Sequence, residues 1–226
     1  MIQSSADWQS FVFMLRGNMK EPQLYFLSDQ YYIDFPDPLL MKNKEVIAGK
    51  SHDRPCFFAF EDKKHPHILW LVPIASQVDK YKRIAEKKIE KYGRCNTIRF
   101  GTVLGREAAF LIQNICPVTS TYLTGYYDKE HNPIRIDNRI VKDVTENSRE
   151  VVGIARFSPH IVYPDIWNIY DTLSKELGRE QNQDHKNIMT KPKPLRDQMS
   201  AAQAEADRRN KAVEKQASEP QHAKER

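Results

Sequence analysis

Aromatic residues are confined to one part of this 226-residue chain. All ten Tyr, ten Phe and three Trp residues precede residue 179, and the segment 179–226 has none. A segment without large apolar side chains cannot bury enough surface to offset the entropy lost on ordering. The sequence therefore predicts a folded domain over 19–178, followed by a charged tail over 179–226 that is disordered or partly helical.

The first eighteen residues are predicted to lie outside that domain. Their apolar stretch, 11–15, follows no basic residues and precedes no small-residue cleavage site, so a signal peptide is not indicated. Residues 15–19 read LRGNM, and purine-rich Arg and Gly codons before a Met resemble a translated ribosome-binding site. We hypothesise that Met19 is the true start and that 1–18 is a non-native or mobile extension.

Several classes of protein are disfavoured by composition and motifs. No apolar run approaches the roughly 18–20 residues that a membrane-spanning helix needs. Three widely spaced Cys residues fit neither a disulfide scaffold nor a Cys-rich zinc module, and they suit a reducing cytoplasm. The sequence contains no HExxH, GxxxxGK[ST], GxGxxG or GxSxG motif. We expect a cytoplasmic protein with no metal and no cofactor.

Positive charge is concentrated in one segment. The chain has a formal net charge of +5 and a pI of about 9.0. Residues 42–94 hold 13 basic and 7 acidic residues, net +6, whereas the tail holds only +3. Local phosphate contacts, rather than overall charge, drive nucleic-acid binding. The segment 42–94 is therefore the part of the chain whose charge is best suited to contact phosphate groups.

Hydrophobic patterning predicts an α+β fold, with flanking helices on an antiparallel sheet. The clearest helix is 78–92, whose apolar residues recur at helical spacing and which Gly93 terminates. Strands are predicted over 23–27, 54–60, 67–72, 97–104 and 107–116. Further helices are predicted around 31–33 and over 138–155 and 164–177, with Gly178 closing the last one and a polar loop over 41–53.

The junction between the strand ending VPIAS and the basic helix is the predicted chemical centre. Ser76 stands there, where the N–H groups of a helix N-terminus favour anions. Lys80 and Lys82 follow within the next turn. A structural alternative is that Ser76 only caps the helix, with Asp79 closing a capping box. The two interpretations are compatible, because a capping hydroxyl can also contact phosphate.

The order of short motifs around this junction resembles a known family. RPCF at 54–57 is followed by VPIAS at 72–76, then Lys80, then NICPV at 114–118. This order is similar to that of the toxins of type III toxin–antitoxin systems, the ToxN/AbiQ group with its CptN and TenpN relatives. The resemblance covers roughly residues 24–177. Ala75 stands where the family often has Thr, and the longer gap to the next Lys leaves Lys80 and Lys82 as alternatives.

The resemblance implies a strongly bent antiparallel sheet with a Kid/MazF-like barrel core. It also implies a metal-independent endoribonuclease that is inhibited by a repetitive RNA antitoxin, in a closed toxin–RNA hetero-oligomer that acts in abortive phage defence. In such an enzyme the 2′-OH of RNA attacks the adjacent phosphate and leaves a 2′,3′-cyclic phosphate and a 5′-OH. The expected partners are substrate RNA and antitoxin RNA, with no membrane and no DNA.

Catalytic roles follow from what this reaction requires. Ser76 and the local backbone would orient the phosphate, and Lys80 or Lys82 would stabilise the transition state or protonate the leaving oxygen. Arg54 would clamp the phosphate through two parallel hydrogen bonds.

Tyr31 or Tyr32 would position the substrate by hydroxyl contact or stacking. His52 carries the nearby imidazole that could serve as general base, with an exposed loop histidine as the alternative. The remaining predicted RNA-binding residues are Lys50, Arg83, Lys87, Lys88 and Lys91.

Two other functions stay open from the sequence. One is a non-catalytic RNA-binding module that uses the helix 78–92 as its electrostatic face. The other is a structural or interaction domain whose basic helix is only a solvated surface.

Overall fold

The computed structural model of the protein describes residues 24–47, 49–126, 128–129, 132–134 and 136–190. The chain divides into two compact units, Met1–Gly178 and Arg179–Arg226. The predicted extension 1–18 and the part of the predicted tail beyond residue 190 lie outside the described residues. No helix in the described ranges is both long and apolar enough to cross a bilayer.

Strands and helices alternate irregularly along the first unit. The strands are β1 (Leu24–Leu27), β2 (Lys44–Ile47), β3 (Lys50–Asp53), β4 (Cys56–Glu61), β5 (Ile68–Ala75), β6 (Arg99–Val103), β7 (Arg106–Phe110), β8 (Cys116–Thr119), β9 (Leu123–Tyr126), β10 (Asp128–Lys129) and β11 (Asn132–Pro133). The helices are α1 (Asp29–Asp34), α2 (Val78–Tyr92), α3 (Asn138–Ala155) and α4 (Ile166–Thr190), with 3₁₀ turns at Ile112–Asn114, Ser120–Tyr122 and Pro159–Ile161.

The main sheet is antiparallel and contains seven strands. Its order is β6-β7-β5-β4-β1-β9, and β8 also pairs with β5. The pairs β2–β3 and β10–β11 form separate two-stranded sheets. The predicted α+β class, with an antiparallel sheet and flanking helices, is confirmed. The sheet is open over the described strands, since its two end strands, β6 and β9, do not pair with each other. The predicted barrel closure is therefore not found there.

Strand β5 is buried along its whole length and exchanges partners halfway. On one side it pairs with β4 in a hairpin, as predicted from the two aromatic-rich runs. On the other side, Ile68 to Leu71 pair with β8, whereas Ile74 and Ala75 pair with β7. Pro73, which has no N–H to donate, lies where the partner changes, and its carbonyl accepts a hydrogen bond from Leu111 N at 2.9 Å.

The single strand predicted over 107–116 is wrong, because two strands occupy that region. Strand β7 ends at Phe110, a 3₁₀ turn follows, and β8 begins at Cys116. The backbone of Gln113 stabilises this turn by forming hydrogen bonds with residues outside the sheet. Its N–H donates to Thr97 O at 3.0 Å, and its carbonyl accepts from Tyr163 N at 2.7 Å.

The polar loop predicted over 41–53 is also wrong, because strands β2 and β3 form a hairpin there. The turn between them contains Gly49 at φ 77°, a left-handed conformation that glycine adopts without strain. The side chains of β3 are all exposed, so no apolar alternation marks the strand in the sequence.

Helices α2 and α3 match their predicted bounds. Gly93 ends α2 in the left-handed conformation, and its N–H donates to Ile89 O at 2.8 Å. Helix α3 packs closely on β6, because a Cβ added at Gly101 would lie 2.6 Å from Ile140 Cδ1. The last helix differs from prediction, since α4 begins at Ile166 and continues past Gly178 to Thr190. An interior glycine costs a helix only about 1 kcal/mol, which does not force an end.

The core beside α4 is built on aromatic rings. Trp70 of β5 is fully buried and stacks on Phe60 and Tyr170, with ring centroids 6.0 and 5.9 Å away. Trp167 meets the same indole edge-on at 5.7 Å. These contacts fix α4 against the β4–β5 hairpin.

Asp62 connects the turn of the β4–β5 hairpin to α4 through hydrogen bonds. Its Oδ1 accepts hydrogen bonds from Lys64 N, His65 N and Tyr170 Oη, each at 2.9 Å. Burial alone would raise the pKa of this carboxyl, but the hydrogen bonds outweigh burial and hold the pKa below its usual value. The folded state therefore favours the ionised carboxylate.

We expect Asp62→Ala to destabilise the protein by about 1–3 kcal/mol, because it removes the hydrogen bonds that a charged carboxylate accepts from the partly buried His65 N–H and Tyr170 hydroxyl. Thermal unfolding at neutral pH measures this, with Glu61→Ala, a change at the exposed neighbouring carboxylate, as the control. Because the folded pKa is lowered, the contribution of Asp62 is fully present above the ordinary Asp pKa of about 4 and is lost as pH falls through the folded value. Equal melting temperatures for the two variants at pH 7 would contradict this role.

Candidate active site at the end of strand β5

The junction between β5 and α2 presents a hydroxyl at the surface. Strand β5 ends at the buried Ala75, and Ser76 is the first exposed residue after it. The predicted capping box is wrong, because Gln77 and not Ser76 is the N-cap, and Gln77 makes no side-chain capping bond. Ser76 contributes its carbonyl instead, which accepts from Val78 N at 2.9 Å. Its hydroxyl therefore stands at the start of the helix in a position that a phosphate can reach.

The two candidate lysines of α2 have different surroundings. Lys82 Nζ forms a salt bridge with Glu107 Oε2 of β7 at 2.8 Å, and this hydrogen bond raises the pKa of Lys82. Lys80 is exposed, and its Nζ lies 5.5 Å from the ring centroid of Tyr81. Among the described residues, Lys80 has no salt bridge. The two lysines therefore differ in their pairing, and which of them contacts a phosphate stays a prediction.

Arg54 is buried, with only 7% of its surface exposed. Its Nε donates to Lys42 O at 3.1 Å and its Nη1 donates to Ile74 O at 2.9 Å. The predicted role as an exposed phosphate clamp is therefore wrong in this structure, because the guanidinium is directed to backbone carbonyls. Arg54 instead connects the chain before β2 to the end of β5, two residues before Ser76, and is a positioning residue.

Of the two candidate tyrosines, only Tyr32 is even partly accessible. Tyr31 is fully buried, and its hydroxyl donates to Pro117 O at 2.9 Å. The prediction that Tyr31 contacts RNA is wrong, since the ring belongs to the core. Burial raises the pKa of Tyr32, while the nearby Arg54 charge opposes this, so its hydroxyl remains protonated at neutral pH. Tyr32 can donate a hydrogen bond but cannot act as a base.

The remaining predicted residues lie on two exposed surfaces. His52 and Lys50 are exposed on β3, whose hairpin is joined to the core where Arg54 N donates to Asn43 O at 2.7 Å. Arg83, Lys87 and Lys91 are exposed on α2.

Lys88 differs from its neighbours on α2, because it is half-buried. Its Nζ donates to Thr97 Oγ1 and to Gln113 Oε1, both at 2.7 Å. Both acceptors were missed from the sequence. The only signal for Gln113 is a polar pair, Gln113 and Asn114, inside an otherwise apolar run, and nothing marks Thr97.

Within the part of the chain that the structure describes, no three His, Cys, Asp or Glu side chains are grouped so that they could hold a metal ion. The three cysteines are buried and unpaired with one another. Burial raises the pKa of the Cys56 and Cys116 thiols, so neither is a ready nucleophile at neutral pH.

The protein has an α+β fold, in which an open antiparallel sheet is flanked by helices. The basic helix α2 follows the fully buried strand β5. No protein-family model matches the sequence, and no curated protein sequence matches it. Among solved structures, AbiQ matches with a TM-score of 0.51 and 11% sequence identity. The match covers 69% of this chain and 99% of AbiQ. AbiQ is a lactococcal anti-phage endoribonuclease of a type III toxin–antitoxin system. The expected resemblance to the ToxN/AbiQ group is confirmed at the level of the fold.

We expect Arg54→Lys to destabilise the protein by about 1–3 kcal/mol, because one ammonium cannot replace hydrogen bonds that the guanidinium makes to two carbonyls. The melting temperature should fall by about 2–4 °C for each kcal/mol. Arg83→Lys is the matched control, since Arg83 is exposed and its Nε bonds only to Asp79 O within the same helix at 3.2 Å. An Arg54→Lys protein as stable as the control would show that Arg54 does not hold the end of β5.

Proposed function

We propose that the protein is the metal-independent endoribonuclease toxin of a type III toxin–antitoxin system. The observation that carries the proposal is the fold, which matches AbiQ over 99% of that chain. A second support is local. Ser76 and Lys80 are both exposed, and they lie just before and within the first turn of α2.

The proposed reaction needs no group beyond those of the protein and the RNA. The 2′ oxygen of RNA forms a bond to the adjacent phosphorus, and the bond from phosphorus to the 5′ oxygen breaks. One proton leaves the 2′-OH and another reaches the departing 5′ oxygen, so the products are a 2′,3′-cyclic phosphate and a 5′-OH. The transition state carries extra negative charge on its phosphoryl oxygens, which cations and N–H donors stabilise.

We assign the contacts to the phosphate in this step to Ser76 and Lys80. The hydroxyl of Ser76 and the N–H groups of the first helical turn orient the phosphate. Lys80 stabilises the charge that develops or protonates the 5′ oxygen. Arg54 acts indirectly, because it holds Ile74 and thereby the strand end that carries Ser76.

Proton transfer and substrate positioning are assigned to two further residues. Tyr32 keeps its proton and offers a hydroxyl to the substrate. His52 on the exposed strand β3 is the proposed general base, since a neutral imidazole has a ring nitrogen that can accept the proton of the 2′-OH.

On the basis of the resemblance to the ToxN/AbiQ group, we also propose that a repetitive RNA neutralises the toxin within a closed toxin–RNA hetero-oligomer. We further propose that the system limits phage infection. AbiQ, the structural neighbour, is itself an anti-phage protein of a type III system.

Ser76→Ala and Lys80→Ala should each lower the cleavage rate by about 10²–10³-fold and relieve growth arrest when the protein is expressed. Lys82→Ala is the matched control. It should retain toxicity, since Glu107 already holds that ammonium. Growth curves, with immunoblots to equalise expression, measure the effect. Full toxicity in both the Ser76 and Lys80 variants would remove the junction from the mechanism, and loss of toxicity only in Lys82→Ala would reassign the lysine.

A second candidate function is a non-catalytic RNA-binding module. The burial of Arg54 favours it, because one predicted phosphate ligand is absent from the surface while Arg83, Lys87 and Lys91 remain exposed. This function predicts salt-sensitive RNA binding without any cleavage product.

A further inference from the structure

A pocket of about 460 Å³ lies beside the C-terminal end of α2, away from the β5–α2 junction. Its volume falls within the range of about 300–1,000 Å³ that is usual for small-molecule sites. The walls come from the end of α2, the segment leading to β6, the end of α3 and the 3₁₀ turn at Pro159–Ile161. Among the residues that line it are Lys88, Tyr92, Arg94, Asn96 and Tyr163.

Lys88 is the half-buried cation of this pocket. Its two hydrogen-bond acceptors, Thr97 Oγ1 and Gln113 Oε1, are both neutral. Within the described residues no carboxylate pairs with its ammonium. Burial accordingly lowers the pKa of Lys88. An ammonium has a third N–H, so an anionic group entering the pocket would gain a hydrogen bond and supply the missing counter-charge.

Two aromatic rings stand at the pocket and are open to solvent. Tyr92 is 64% exposed and Tyr163 is 45% exposed. Tyr163 is held in place where its N–H donates to Gln113 O at 2.7 Å. Exposed rings beside cations are the arrangement on which unstacked bases of single-stranded RNA bind.

The rim also carries polar groups that a nucleotide could use. Glu150 forms a salt bridge with Arg94 Nη2 at 3.2 Å and accepts a hydrogen bond from Asn96 Nδ2 at 2.9 Å. The amide of Asn96 can both donate to and accept from a base edge.

The surroundings favour a polyanion over a small free metabolite. The exposed face of α2 carries Lys87 and Lys91 next to the pocket and Lys80 and Arg83 towards the β5–α2 junction. A strand of RNA along α2 would meet these four cations between the candidate active site and the pocket, interspersed with the exposed carboxylates of Asp79, Glu86 and Glu90.

We propose that this pocket binds one unstacked nucleotide of single-stranded RNA, with Lys88 on its phosphate and the rings of Tyr92 and Tyr163 against its base. The proposal rests on the proposed function only in taking RNA as the ligand. The pocket would let the protein select RNA at a position distant from the cleaved bond.

Binding of a fluorescent single-stranded oligomer of about ten nucleotides, mixed in sequence and 2′-fluoro substituted so that no 2′-OH can attack, tests this site. The double variant Tyr92→Leu/Tyr163→Leu should weaken binding at least about fivefold, because base stacking is lost. Lys88→Met should weaken binding too, and should reduce the slope of log affinity against log salt by about 0.7, as expected for one lost phosphate contact on a single strand. The tyrosine variant should leave that slope unchanged.

Two matched controls sit outside the pocket. Phe157→Leu removes a ring that is 91% exposed, and Lys63→Met removes an exposed lysine of the β4–β5 turn, and both should bind as the wild type does. Melting temperatures of all variants establish that they fold. If Lys88→Met does not fold, the tyrosine variant alone decides the result.

The experiment distinguishes failure of the proposed pocket from failure of the proposed function. Wild-type affinity in the folded tyrosine variant would overturn the pocket while the proposed function stands. A tyrosine variant that loses equal affinity for an abasic oligomer would overturn the base contact. No binding of any RNA by the wild type would overturn the proposed function together with the ligand assigned here.

Discussion

The fold depends on the burial of strand β5. All eight of its residues are buried, so both faces and both edges must be covered by protein. Strand β4 covers one edge, and the other edge is shared between β8 and β7. That division forces the chain to leave the sheet between Phe110 and Cys116, and the 3₁₀ turn formed there carries Gln113 to α2. The same strand ends at Ala75, which places Ser76 at the surface. The candidate active site and the pocket beside Lys88 thus both follow from how one strand is packed.

The basic side chains of the segment 42–94 differ in whether they are available to contact RNA. Arg54 is committed to backbone carbonyls and Lys82 to Glu107, so neither offers its charge freely to RNA. Lys88 is held by two neutral acceptors and retains an unmatched charge. The exposed lysines of α2 remain for solvent or phosphate. The formal charge of the segment 42–94 therefore overstates the number of groups that can contact a substrate, and the arrangement of the charges matters more than their sum.

The sequence predicted the elements whose signals are local. Helix α2 was predicted to its end residues, because its apolar spacing and Gly93 are both encoded within the segment. The hairpin β2–β3 was missed, since the exposed polar strand β3 carries no alternation. The break between β7 and β8 was missed because the partners that stabilise the turn, Thr97 and Tyr163, are distant in sequence.

The strand end and the helix start at the predicted junction are confirmed, but the accessibility of the residues around it was not predicted, and that this junction is the active site stays a prediction. A strand ending before a basic helix identified the junction around Ser76. Whether Arg54 and Tyr31 point into solvent or into the core depends on tertiary packing, and Arg54 next to Pro55 looks the same in sequence either way. The choice between Lys80 and Lys82 likewise needed the position of Glu107 on β7.

Analysis of the ends of a cleaved oligoribonucleotide tests the proposed chemistry most directly. The purified protein is incubated with RNA in EDTA, and the products are weighed by mass spectrometry. We expect fragments that end in a 2′,3′-cyclic phosphate and begin with a 5′-OH, and no cut where the scissile nucleotide carries a 2′-O-methyl group. Products with a 5′-phosphate and a 3′-OH, or cleavage that appears only when Mg²⁺ is added, would contradict a metal-independent attack by the 2′-OH.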